Sequence, residues 1–321
     1  NGIVFGKDAS LDISGSFTAT TSPSIFFDNN FEFSAINPQT VPLLKINITP
    51  GLQYSRSQQG DIANQGNLTV GKDLNLIGQN LNLTGRLNAG RNLNLKALGN
   101  LQIRDNFNNP FIASADKNLL LQGNQTIDIE ALSNLDSGLF SGNDLILQSS
   151  NPVLGDAHYF SGGSFRIEQL DGSLGDFESP KDPIIRASGN VCFDSYGGAS
   201  LHILAGGAVN IAGTITIINT DGINGLEETI TLSTGENLVI NGKTQATLDI
   251  RAGTTKFGNP GIAGNIKLKP QNPNTQGIRS NRNIFIGGNI QIKKQDGLVF
   301  LSNHYGSNPN LTGGNIQIKG N

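Results

Sequence analysis

Methionine is absent from all 321 residues. A chain without one does not start at a translation start, so the sequence is expected to be a processed or excerpted piece of a longer protein. Cysteine occurs once, as Cys192, which excludes an internal disulfide and a cysteine-based zinc site alike. Within Val191-Cys192-Phe193 it reads as a small buried hydrophobe of a strand. The missing disulfides do not argue against export, because backbone ladders and stacked side chains can hold a secreted solenoid together. The three histidines, His158, His202 and His304, have no partner at zinc-ligand spacing, so no metal is expected. Only 15% of residues are charged and the net charge is -3, which argues against a nucleic-acid surface. No run approaches the ~18 apolar residues of a membrane span, and no signal-peptide core is present.

What the chain does have is turn formers, 41 of them glycine, and a phrase that keeps returning. A glycine or polar pair precedes an asparagine and two aliphatics separated by one polar residue. Examples are Gly66-Asn67-Leu68-Thr69-Val70, Asp73-Leu74-Asn75-Leu76, Asn80-Leu81-Asn82-Leu83, Asn92-Leu93-Asn94-Leu95, Gly99-Asn100-Leu101-Gln102-Ile103 and, at the far end, Gly314-Asn315-Ile316-Gln317-Ile318. Alternation with period two puts both aliphatics on one face of a strand, and the Gly/Asn pair supplies the turn before it. Leu68 to Leu87 and Leu74 to Leu93 are each 19 residues, and Leu81 to Leu101 is 20. Three strands that recur together at that period predict an all-β chain folded as a parallel β-helix, with Leu74 stacked on Leu93 and Leu81 on Leu101. A leucine-rich repeat would need a helical segment in each turn, and no window offers one. Some 11–15 coils would give a rod about 50–70 Å long at about 4.8 Å per coil.

The chain divides unevenly. Residues 1–58 read as strand-rich but aperiodic, with Phe26, Phe27, Phe31 and Phe33 as core filling. Residues 59–321 read as one solenoid, cleanest over 59–103 and truncated at its ends. Loop insertions are predicted around 104–116, 132–141, 150–164, 170–188, 219–232, 254–263, 269–282 and 303–312. The Gly-Gly pairs at 162–163, 206–207, 287–288 and 313–314 lack the aspartate of calcium-binding nonapeptides and read as tight corners. Asn-x-Ser/Thr triplets at Asn47, Asn67, Asn82, Asn124 and Asn310 mostly adjoin strand phrases and read as turn or ladder positions, with glycosylation of an exported chain as the alternative.

The opening Asn1-Gly2-Ile3-Val4-Phe5-Gly6, followed by Ala9-Ser10-Leu11-Asp12-Ile13-Ser14-Gly15-Ser16-Phe17, resembles the end of the secretion domain of filamentous-haemagglutinin-like exoproteins of two-partner secretion. Asn1, Gly2 and Ile3 match the last three residues of the family's Asn-Pro-Asn-Gly-Ile type motif, and Phe5 and Gly6 continue the remnant; Asn1 and Gly2 read equally as turn residues that cap the first coil. The runs Ala157–Gly172 and Gly198–Gly207 are similar to the large-exoprotein branch known from cyanobacteria. The resemblance implies a right-handed β-helix with residues 1–58 as the C-terminal part of the secretion domain. It also implies unfolded passage through an outer-membrane β-barrel transporter and an extracellular or cell-surface destination. A structural stalk or adhesin is the implied role, with host, neighbour-cell or surface glycans and proteins as further partners.

The alternative is a β-helical carbohydrate-active enzyme, a polysaccharide lyase or glycosidase. Its candidates fall between Asp156 and Arg186, with Arg166, Glu168, Asp171 and Arg186 as the site, since paired acids and an arginine on a solenoid flank can bind calcium or act as acid and base. No acidic pair sits at a spacing that fixes a site, so a solvated face is the favoured reading. No catalytic residue and no cofactor is therefore assigned. An enzyme should bring three or more charged side chains into one groove along a strand face; an adhesin should disperse them.

Overall fold

The computed structural model describes residues 2–27, 31–34, 53–54, 60–258 and 281–321. Short strands follow one another around three flanks, and each pairs in parallel with its counterpart one coil away. One flank is a separate ten-stranded sheet. The other two form a 19-stranded sheet, because the long strand Val153–Ser161 bends from one flank into the next and serves both. The fold is a parallel β-helix of ten rungs among the described residues, about 43 Å long at about 4.8 Å per rung.

The register is the one the leucine spacing predicts. Leu87 pairs with Leu68, Leu93 with Leu74 and Leu101 with Leu81. Alternation turns these side chains inward, where Leu74, Leu81, Leu87, Leu93 and Leu101 are sealed from solvent. One inner column runs Phe17, Leu74, Leu93, Leu119, Leu145, Phe165, Val191, Val209 and Ile284. Asparagines knit the corners. Asp73 Oδ1 accepts the Asn92 backbone and side-chain N–H groups at 3.2 and 3.0 Å. Asn92 Oδ1 accepts those of Asn118 at 3.3 and 3.2 Å, and Asn118 Oδ1 accepts Asn143 Nδ2 at 2.7 Å. The recurring Asn is thus a corner cap that reaches from each coil to the next. Glycine is required where corners stack: a Cβ at Gly90 would run into the carbonyl oxygen of Gly71.

Several expectations change. Residues 3–20 are not aperiodic but form the first rung, with Ile3 opposite Ile62, Leu11 opposite Leu68 and Phe17 opposite Leu74. Their repeat was hidden because 59 residues separate Ile3 from its partner in the next rung. Four predicted insertions contain ladder strands: Ile112–Ala115, Gly138–Ser141, Val153–Ser161 and Ile184–Ala187. Their inward or corner positions hold Ala113, Ala115, Ser141 and Ser161 instead of leucine, so composition imitates a loop. Among the described residues the count is ten rungs, with Phe17 paired directly with Leu74 and Val209 with Ile284 across the long excursions.

The insertion at 219–232 is the first arm of an antiparallel hairpin, Glu227–Thr231 against Asn237–Asn241. Those at 254–263 and 269–282 lie largely outside the described residues. Ser24–Phe27 pairs antiparallel with Phe31–Ser34 and Gln53–Tyr54. Phe33 is half exposed there and does not fill a core, while the side chains of Phe26, Phe27 and Phe31 lie outside the described residues. Cys192 points away from the interior, between inward Val191 and Phe193, and is only partly covered; burial still pushes its thiol up.

Candidate functional site

The residues matching the secretion motif build the start of the ladder. Ile3 N donates to the Asp61 carbonyl at 2.9 Å, and Gln65 N donates to the Phe5 carbonyl at 2.8 Å. A side chain at Gly2 would strike the Asp61 carbonyl, so glycine lets the chain enter the first rung close to the second. Phe5 packs edge-on against Phe17, ring centroids 6.1 Å apart, and ties the first flank to the third. The Gly6 carbonyl accepts Ala9 N at 2.9 Å and turns the chain into the second flank. Asn1 lies outside the described residues.

The charged residues between Asp156 and Arg186 do not gather in one place. Arg166 and Glu168 pair on the outer face of Phe165–Glu168, Nε to Oε1 2.6 Å. Asp171 sits in an exposed turn, where the Ser173 hydroxyl and backbone N–H hold its carboxyl below the usual range. Arg186 lies on a different flank, in Ile184–Ala187, and is buried. A shallow cavity of about 330 Å³ on the first flank does bring carboxylates together, Asp156 and Glu178 from this range with Asp128 and Glu130, beside Leu154, Pro180, Gly197 and Ile218; the groove of three or more charged side chains expected of an enzyme is therefore found here and not at Arg166, Glu168, Asp171 and Arg186. Asp128 is paired with Arg104, and Glu130 lies 3.7 Å from the same arginine. Asp156 accepts from the Ser179 hydroxyl at 2.5 Å and Lys181 N at 3.1 Å; burial pushes its carboxyl up against that pull.

The strongest concentration of buried charge lies on the outer face of the second flank, under the hairpin. Register stacks Ile184, His202, Asp249 and Phe300 in one outward column and Arg186, Leu204, Arg251 and Ser302 in its neighbour. In an early rung such a position, Thr69, is exposed, whereas Phe140 and Phe160 of the two rungs before Arg186 are already covered. Here His202, Asp182, Asp249 and Arg251 are completely buried. His202 Nε2 lies 3.0 Å from Asp182 Oδ2, and its Nδ1 lies 3.4 Å from Asp249 Oδ2. Asp249 also accepts two bonds from Arg251, at 3.0 and 2.8 Å, and Arg251 Nη2 reaches Glu228 of the hairpin at 3.0 Å.

The hairpin is held from both ends. Leu226 N donates to Asp182 Oδ2 at 3.1 Å, and Asp182 N donates to Asp221 Oδ2, also at 3.1 Å. Gly242 lies so close over Asp182 and His202 that a Cβ would strike both. Arg186 lies over the Phe160 ring at 5.3 Å and donates from Nε to the Phe257 carbonyl at 2.6 Å.

Burial alone would lower the pKa of His202, but the Asp182 and Asp249 carboxylates outweigh it and push it up to about 9. Burial drives the Asp182 carboxyl up against the pull of the same histidine. Burial, with the charge of Arg186, holds His158 down at about 4, and burial lowers Arg186 to about 10. Both ring nitrogens of His202 face carboxylates and no surface reaches them, so the imidazole has no position from which to take a substrate proton. The arrangement is an ionic lock between hairpin and rod. Nothing in the sequence placed His202, Asp249, Arg251 and Glu228 together; the strands Leu201–Ala205 and Thr247–Arg251 read as ordinary alternation until a distant hairpin covers them.

The profile of the TPS secretion domain matches residues 1–165, half of the chain, beginning in the first rung and ending in the strand Phe165–Glu168. The chain belongs to the two-partner-secretion exoproteins. Members of this family are exported, and the implied partner of this exoprotein is an outer-membrane transporter. No curated protein and no solved structure gives a significant match. The ladder continues in register past the matched segment, from Phe165 through Val191 and Val209 to Ile284, so the secretion domain and the later rungs share one β-helix.

Proposed function

We propose that this exoprotein is a filamentous-haemagglutinin-like rod of the large-exoprotein branch known from cyanobacteria, and that it works outside the cell as a stalk or adhesin. In this reading Asn1, Gly2, Ile3, Phe5 and Gly6 belong to the section that the transporter recognises or that nucleates folding. Partners on a host, a neighbouring cell or a surface, whether glycan or protein, are met by the corners of the rod. The observation that carries the proposal is the uninterrupted ten-rung ladder with long excursions confined to its corners. Such a body holds variable surfaces at a distance from the cell without needing a globular core. The separation of Arg186 from Arg166 and Glu168, on different flanks, supports a structural role for these residues over a shared catalytic one.

Cells carrying the full-length protein should adhere to a biotic surface several-fold better than a deletion strain, and beads coated with the 321-residue chain should bind that surface. Equal adhesion by the deletion strain, together with inert beads, would remove the adhesive role and leave an exported stalk.

A further inference from the structure

Where one coil's corner is long and the next is short, the stack leaves a trough. The corner between Ile215–Ile217 and Thr247–Arg251 carries the hairpin, whereas the equivalent corner of the following rung is only the turn between Ile290–Ile292 and Leu298–Ser302. Between them lies an open cavity of about 600 Å³. One wall is Asn219, Thr220 and the hairpin base, with Val239, Asn241 and Gln245; the other is Lys294, Gln295 and Asp296. Gln245 Nε2 donates to the Asp296 carbonyl at 2.6 Å and fixes the two walls to each other. Asp296 is the one non-glycine residue with left-handed backbone among the described residues, φ 59°, so the turn at the mouth holds one specific shape.

We infer that this trough is a binding site for a neutral oligosaccharide. Its volume falls within the ~300–1,000 Å³ of ordinary ligand sites, but its lining does not resemble theirs, which is mainly apolar. Amides and hydroxyls dominate, and the two charged members, Lys294 and Asp296, are of opposite sign and cancel. The side chains of Asn219, Thr220, Lys294, Gln295 and Asp296 engage no partner within the described residues. A ligand that uses them must present many groups that both donate and accept and must carry no net charge. Vicinal sugar hydroxyls have this character, and a planar side-chain amide offers a matching donor and acceptor side by side. The half-exposed Val239 and buried Ala246 give the C–H face of a sugar ring an apolar contact. The inference depends on the adhesin reading only for the access of external glycans to the trough.

The test is calorimetric titration of the 321-residue chain with cellohexaose, xylohexaose, mannohexaose and maltohexaose, and with polygalacturonate as the acidic comparison. At least one neutral hexaose should bind. The double variant Asn219→Ala, Gln295→Ala should raise its dissociation constant roughly tenfold with an unchanged melting temperature. Asn82→Ala, exposed on a distant rung, should leave it unaltered. Failure of all four neutral sugars to bind, binding that survives the double variant, or preference for polygalacturonate would overturn the assignment. Because purified chain is used, a negative result here leaves the adhesion of whole cells as a separate outcome.

Discussion

Leu93→Asp should break the rod in its third coil. Leu93 has no solvent-exposed surface and lies between Leu74 and Leu119 in the inner column. The substitution removes a packed side chain, a change worth about 2–5 kcal/mol, and leaves a carboxylate with no counter-charge in an apolar interior, which adds several kcal/mol more unless it is protonated. Because each coil touches only its neighbours, the damage should centre on the adjoining rungs. Urea unfolding and hydrogen exchange measure both effects. Asn94→Asp, one residue on, is the control: Asn94 points outward and donates to Asn75 Oδ1 at 2.8 Å, so its change should cost no more than about 1 kcal/mol. A Leu93→Asp protein within about 1 kcal/mol of the parent would contradict the inner-column assignment.

Asp249→Ala should release the hairpin while leaving most of the rod folded. Asp249 is the shared acceptor of His202 and Arg251, and both would be left buried with weakened compensation. Removing one partner from such a network costs about 3–5 kcal/mol. Limited proteolysis should cut within 219–246 at protease concentrations that leave the parent intact; equal resistance would show that the lock does not hold the hairpin.

The same region should have a pH window. The raised pKa of His202 contributes stability that is complete below its ordinary value of 6.5 and is lost as pH rises through about 9. The depressed pKa of His158 acts at the other end: its contribution is complete above 6.5 and is lost as pH falls toward about 4. Hairpin protection should therefore peak near pH 6.5, falling toward about 4 as His158 is protonated and toward about 9 as His202 is deprotonated, and protection that rose between pH 6.5 and 9 would contradict the role of His202.

The parts of the fold that were readable share one property: their partner lies a single period away. Leu68, Leu74 and Leu81 announce their rungs because the next copy follows within 20 residues. Ile3 does not, because an excursion intervenes before Ile62. Small inward residues such as Ala113 and Ser141 hid two further strands, since a narrow corner and a loop use the same residue types. The ionic lock was unreadable for a different reason. His202 and Asp249 occupy outward positions, where local alternation predicts solvent, and only the hairpin of Glu227–Asn241 makes them interior. Arg186 was singled out as chemistry, but its contacts are the Phe257 carbonyl and the Phe160 ring, contributions to packing that a charge count does not reveal. The trough at Asn219 and Asp296 depends on the difference in length between two stacked corners, which becomes visible only once the register is known.

The central claim is export by two-partner secretion, and the most direct measurement is the fate of the full-length protein expressed with and without its cognate outer-membrane transporter. The protein should reach the medium or the cell surface when the transporter is present and remain in the periplasm when it is absent. Equal export in both strains, or retention in both, would contradict it.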